Sequence, residues 1–219
     1  AELFWSEFLG TAVLVLLGNA VVKRVLKGSK GEGAGWLAIC TGWAFALFVA
    51  IWVAAKSNAH LNPAVSIALA TIDNFAWEKV PISIVAQFLG AATGQVLVIL
   101  HFWPHWKETL DGDAKRACFC TAPAIRAPVW NAIGEGIATM LLVFGVLSLG
   151  TSPWERNIGA QITDEWSWFA FGIAGLLWAI GIGLGGDAGL GVKSPLESQL
   201  RRLLDHGRNG HFSDSVVVP

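Results

Sequence analysis

Five stretches of roughly twenty apolar residues each, separated by shorter polar connections, decide what this chain can fold into. They run about Leu3–Val22, Gly35–Ala55, Val80–Trp103, Trp130–Gly150 and Trp166–Leu184. A helix needs about 20 apolar residues to cross a hydrocarbon core of about 30 Å. Apolar side chains occur all round each predicted helix, as contact with lipid requires. The stretches are also too long for strands. Composition agrees, because only 14% of the 219 residues are charged, against about 25% in an ordinary soluble domain. The expected fold is an all-α integral membrane bundle embedded in a lipid bilayer.

A net charge of -1 gives no basic excess for a nucleic-acid partner. Cys40, Cys118 and Cys120 lack further ligands at metal-binding spacing, so no metal and no cofactor is expected. They are predicted to be small side chains without a redox role. The first apolar stretch is followed by basic residues, not by a small-residue cleavage site, so it is not read as a signal peptide. The chain opens on Ala1 without a methionine, and its true start is expected upstream.

Between the second and third spans lies a shorter apolar segment, Ala59–Thr71. Asn62 and Pro63 open it as N-cap and first helical residue, a pairing that starts a helix with little strain. A half-length helix is predicted to be re-entrant, which is tolerated where it is buried in protein or lines a water-filled cavity. At the N-cap, the side-chain oxygen of Asn62 can accept a backbone N–H, leaving its amide N–H groups as donors toward the cavity. The helix N-terminus adds partial positive charge there. Neutral solutes that present an oxygen then pass, while cations and protons are repelled.

The chain also repeats itself. Glu7, Thr11, Leu14 and Val15 parallel Glu135, Thr139, Leu142 and Val143, each set in the opening turns of a span. Two further spans follow the first set and one follows the second. Halves built for three helices each would lie in opposite orientation, an inverted repeat. Gly90 and Gly94, at a four-residue spacing, mark a face where helix backbones approach closely in lipid.

The segment Ala59-His60-Leu61-Asn62-Pro63-Ala64-Val65, the helix-opening Glu7-Phe8-Leu9-Gly10-Thr11 and the stretch Ala86–Ala91 carry a likeness. Together they resemble the aquaporin and glycerol-facilitator family over about Glu2 to Gly186. The long connection His101–Asn131 is similar to the extracellular loop of bacterial glycerol facilitators. The resemblance implies an inverted-repeat bundle, a homotetramer in the cell membrane, and a passive channel for glycerol, small polyols and water. It implies that Asn62, Pro63 and Ala64 form the first pore loop, with His60 beside them, and that Glu7 and Glu135 hold the backbones of two re-entrant loops. Trp43 falls on the bulky aromatic position of the pore constriction. Gly181 falls where narrow water channels place a histidine, and Leu190 where an aromatic is usual. No catalytic residue is implied: His60 has no neighbouring nucleophile or second ligand in the sequence.

Family topology puts the N-terminus in the cytoplasm and the loops Lys23–Gly33 and His101–Asn131 outside. Their basic residues, including Lys23, Arg24, Lys107 and Arg126, run against the positive-inside rule. The family topology is kept here, with the balance expected from charges near the ends.

The resemblance fails after Gly186. Where the family has a second Asn-Pro-Ala, an Arg and a sixth span, this chain reads Lys193, Ser194, Pro195 and Leu196. Residues 1–186 are therefore read as the channel domain and 187–219 as an aberrant polar tail. Leu196, Leu200, Leu203 and Leu204 fit one face of an amphipathic surface helix. Codons for Gly189–Ser194, read one base later, can spell Gly-Trp-Ala-Leu-Asn-Pro, so a shifted frame is the expected origin of the tail. The alternative function is accordingly a non-conducting, truncated or frameshifted remnant of such a channel.

Overall fold

The structure is a computed structural model, and it describes residues 1–22, 29–110, 112–119, 123, 125, 127–150 and 162–185. Leu190 and the tail 187–219 lie outside the described residues. The helices run α1 (Glu2–Val22), α2 (Gly35–Val53), α3 (Pro63–Thr71), α4 (Val80–His101), α5 (Trp103–Glu108), α6 (Gly112–Ala117), α7 (Pro128–Gly150) and α8 (Ile162–Gly183). Five of them, α1, α2, α4, α7 and α8, are long and apolar enough to cross a membrane. The half-helix α3 begins at Pro63 with Asn62 as its N-cap. No strand occurs among the described residues. The two short helices α5 and α6 were not anticipated within the long connection. Pro104 in the first turn of α5 supplies a local helix start that a hydropathy reading overlooks.

Helix α1 is the hub, packed along α4 on one side and α2 on the other. The α1–α4 contact depends on missing side chains. A Cβ on Gly90 would collide with the carbonyl of Phe8, and one on Gly94 with the carbonyl of Ala12. With no Cβ at either position, the two backbones close to near contact, the arrangement by which helices associate in lipid. Next to Gly94, Gln95 Oε1 accepts from Asn19 Nδ2 at 2.6 Å. A bond of this kind between membrane helices contributes on the order of 0.6 kcal/mol and sets register as much as stability.

Helix α2 pairs with α8 in antiparallel fashion, pinned by two indoles. Trp36 Nε1 donates to the carbonyl of Gly181 at 2.8 Å, and Trp178 Nε1 to Thr41 Oγ1 at 3.0 Å. Helix α7 packs on α8 and α3. It leaves Ile133, Ile137, Met140 and Phe144 exposed along one stripe.

The glycine contact makes a testable distinction. Gly90→Ala forces α1 and α4 apart and is expected to cost about 1–3 kcal/mol, as overpacking does. Gly136→Ala, where a Cβ meets nothing within 4 Å, is expected to leave stability unchanged. Thermal unfolding of the two variants in detergent checks this pair.

Candidate functional site

The chain reaches α3 through a strained approach. After a short 3-10 turn at Ala55–Ser57, Asn58, Ala59 and Leu61 all have positive φ, at 63°, 50° and 54°. A residue with a Cβ loses about 1–2 kcal/mol in this left-handed region. Only Asn58 is of a type that visits it readily. Something outside the loop must hold it.

Glu7 does so from α1. Its carboxylate is fully buried and accepts four hydrogen bonds, two on each oxygen. Ser57 Oγ and the backbone N–H of His60 reach Oε1 at 2.6 and 2.9 Å. The backbone N–H of Leu61 and Gln87 Nε2 reach Oε2, both at 2.8 Å. Four donors fill the acceptor capacity of a carboxylate. The two backbone bonds fall on the strained Leu61 and on His60, which stands between it and the strained Ala59.

A second set of bonds ties the loop to the start of α3. Gln87 Nε2 also reaches Ser66 Oγ at 3.2 Å, and Ser66 Oγ lies 3.0 Å from His60 Nδ1. Ser66 Oγ donates to the carbonyl of Asn62 at 3.3 Å. The His60 ring meets Phe75 edge-on, with centroids 4.5 Å apart. Asn62 sits in extended conformation and its Oδ1 accepts the backbone N–H of Ala64 at 2.9 Å. Its Nδ2 is thereby turned from the helix as a free donor group.

These residues border a cavity of about 310 Å³. Its polar lining comes from one stretch of chain: Asn58, His60, Asn62 and Asn74. Its apolar lining comes from the surrounding spans, with Trp43, Leu47 and Ile51 on α2 and Phe169, Ile173 and Leu177 on α8. Trp43 is buried, its indole laid against α1 where Gly18 leaves room; a Cβ there would stand 2.5 Å from the ring. Leu14 and Leu142, equivalent positions of the internal repeat, both line the cavity.

The structure brings together His60, Asn62 and Trp43, with Pro63 and Ala64 directly behind Asn62 as the first residues of α3. Gly181 stands apart from this lining: it is buried near the end of α8 and its carbonyl is occupied by Trp36. Glu135 is partly buried on α7 and makes no hydrogen bond to a described residue.

The family model for the major intrinsic protein family matches residues 2–184. The chain belongs to that family. As a major intrinsic protein it is a multi-pass integral membrane protein, and the family's members are channels. It is 44% identical over 193 residues to a probable glycerol uptake facilitator protein of Thermotoga maritima, covering 87% of this chain and 78% of that one. It is 42% identical over 189 residues to glycerol uptake facilitator protein 3 of Lactiplantibacillus plantarum, covering 85% and 75%. Among solved structures, the aquaglyceroporin from Plasmodium falciparum shares the fold with a TM-score of 0.81 at 28% identity, covering 97% of this chain and 85% of that one.

Sequence reasoning missed Ser57, Ser66 and Gln87 as parts of this major intrinsic protein's site. Gln87 gave a signal, since a polar amide amid an apolar span is costly unless partnered.

The role of Glu7 can be measured directly. Glu7→Gln keeps the shape but turns one acceptor oxygen into a donor, leaving two donors facing it. An unsatisfied buried donor costs about 1–3 kcal/mol. Amide exchange at His60 and Leu61 is therefore expected to quicken by roughly 5- to 150-fold, read by hydrogen–deuterium exchange in detergent.

Proposed function

We propose that this chain is a passive channel for glycerol and other small neutral polyols, with water passing the same way. The observation that carries it is the division of the cavity lining. Among the described residues, one side offers amide and imidazole groups from residues 58–74, and the others offer hydrocarbon and aromatic faces. A polyol has the same division, with hydroxyls along one edge and C–H groups along the other. Its oxygens can accept from Asn62 while its carbons slide along Trp43. The relatives named as glycerol uptake facilitators support the same solute class.

In this reading the positive end of α3 and the Asn62 donors disfavour cations. Gly181, where narrow water channels place a histidine, leaves the constriction wide, and Glu135 holds a second loop as Glu7 holds the first. Four protomers, each with its own pore, cover part of the apolar surface. Native mass spectrometry from detergent is expected to report a homotetramer.

A second reading has its own observation. Residues 187–219 carry Lys193 where the family has the second Asn, and no span of twenty apolar residues. A chain of that kind is a non-conducting remnant. Stopped-flow light scattering of proteoliposomes in a glycerol gradient separates the two. The channel reading expects glycerol permeability well above protein-free liposomes, and a loss of at least about tenfold in Asn62→Leu, as removal of one transition-region donor worth 1.4 kcal/mol or more would give. Wild-type flux equal to that of empty liposomes would establish the remnant.

A further inference from the structure

The loop-side mouth of the cavity has a wall that the family reasoning above does not assign. Asn58 and Asn74 are exposed and also line the cavity, so this is where it opens to solvent. Trp166 and Phe169, both partly buried, line the cavity as well and pack on the buried core cluster that Ala59 also packs against. Their rings lie 5.3 Å apart, tilted by 30°. The Trp166 indole Nε1 is buried and has no hydrogen-bond partner among the described residues. What the ring shows to the cavity is therefore hydrocarbon face, with its one polar edge turned into protein.

The antiparallel pairing of α2 and α8 fixes where this wall stands. Trp36 is level with Gly181 and Thr41 with Trp178. Counting back along α8, Trp166 is level with the last turn of α2, about nine residues beyond Trp43, or about 13 Å at 1.5 Å per residue. Trp43 and the Trp166–Phe169 pair thus occupy opposite ends of one cavity.

We propose that Trp166 and Phe169 form a second solute filter at the mouth framed by Asn58 and Asn74. Resting on the channel reading, this filter selects small polyols by size and by contact with their C–H edge, while Asn58 and Asn74 meet the hydroxyls. A wall of this kind discriminates by shape: the buried indole donor takes no part, and the ring faces do the sorting. Solutes one carbinol unit longer than glycerol are slowed here as well as at Trp43.

Two measurements on the full chain test this. In the first, the protein is labelled with 5-fluorotryptophan in detergent, and the Trp166 resonance is assigned by its loss in Trp166→Phe. Glycerol and erythritol are expected to move that resonance progressively, while raffinose, too large to enter, leaves it in place at matched osmolarity. In the second, Trp166→Ala and Phe169→Ala in proteoliposomes are expected to raise the erythritol-to-glycerol permeability ratio by about tenfold, the scale on which a fitted apolar wall discriminates. Trp166→Phe keeps an aromatic face and is expected to keep the wild-type ratio. A Trp166 resonance that no glycerol concentration moves overturns the filter, as does an unchanged ratio in both alanine variants of a conducting protein. Flux no greater than that of empty liposomes in the wild type sinks the channel reading instead, and the fluorine titration then decides the filter on its own.

Discussion

A carboxylate inside a membrane bundle is among the least comfortable groups a protein can carry, with a cost on the order of 3 kcal/mol or more when left to the hydrocarbon. Glu7 escapes that cost only because four donors close on it from two other parts of the chain. The relation runs both ways. The donors at His60 and Leu61 belong to a loop whose left-handed residues would otherwise relax. Neither the acid nor the loop is stable alone. The Asn62 donor, the start of α3 and the polar side of the cavity all inherit their positions from this one mutual rescue.

Around it, the bundle is organised by what α1 lacks on one face and what it receives on the other. Gly10 admits Leu61 and Ala54, and Gly18 admits the Trp43 ring. The same helix therefore seats the loop before α3 and, two turns on, the Trp43 ring. The glycines of α4 bring Gln87 within reach of Glu7 by letting the backbones touch. Close packing and polar satisfaction are one arrangement here: widen the α1–α4 gap and the amide of Gln87 withdraws from the carboxylate.

Most of the fold was legible because lipid imposes a coarse rule. Long apolar stretches must be helices, and the span read as Gly35–Ala55 is found as Gly35–Val53. Asn62 was legible from the Asn-Pro pair, since capping chemistry is local. The convergence of Ser57, Ser66 and Gln87 was not, because hydrogen bonds across 50 and 80 positions leave no periodic trace. The same holds for Trp166 and Phe169, whose place at the cavity mouth follows from helix pairing and not from spacing. Short α5 was hidden by its length, with too few residues to show a period.

The separation between Glu7 and Gln87 has a consequence for biosynthesis. They stand 80 positions apart, and a ribosome adding about 5–20 residues per second needs roughly 4–16 seconds to bridge the gap. During that interval α1 already exists as a hydrophobic segment bearing an acid whose donors arrive in sequence, Ser57, His60 and Leu61 first and Gln87 last. Final seating of α1 must wait for the loop and for α4. The polar arrangement that seats the loop is therefore complete only once α4 has been made, long after α1 itself.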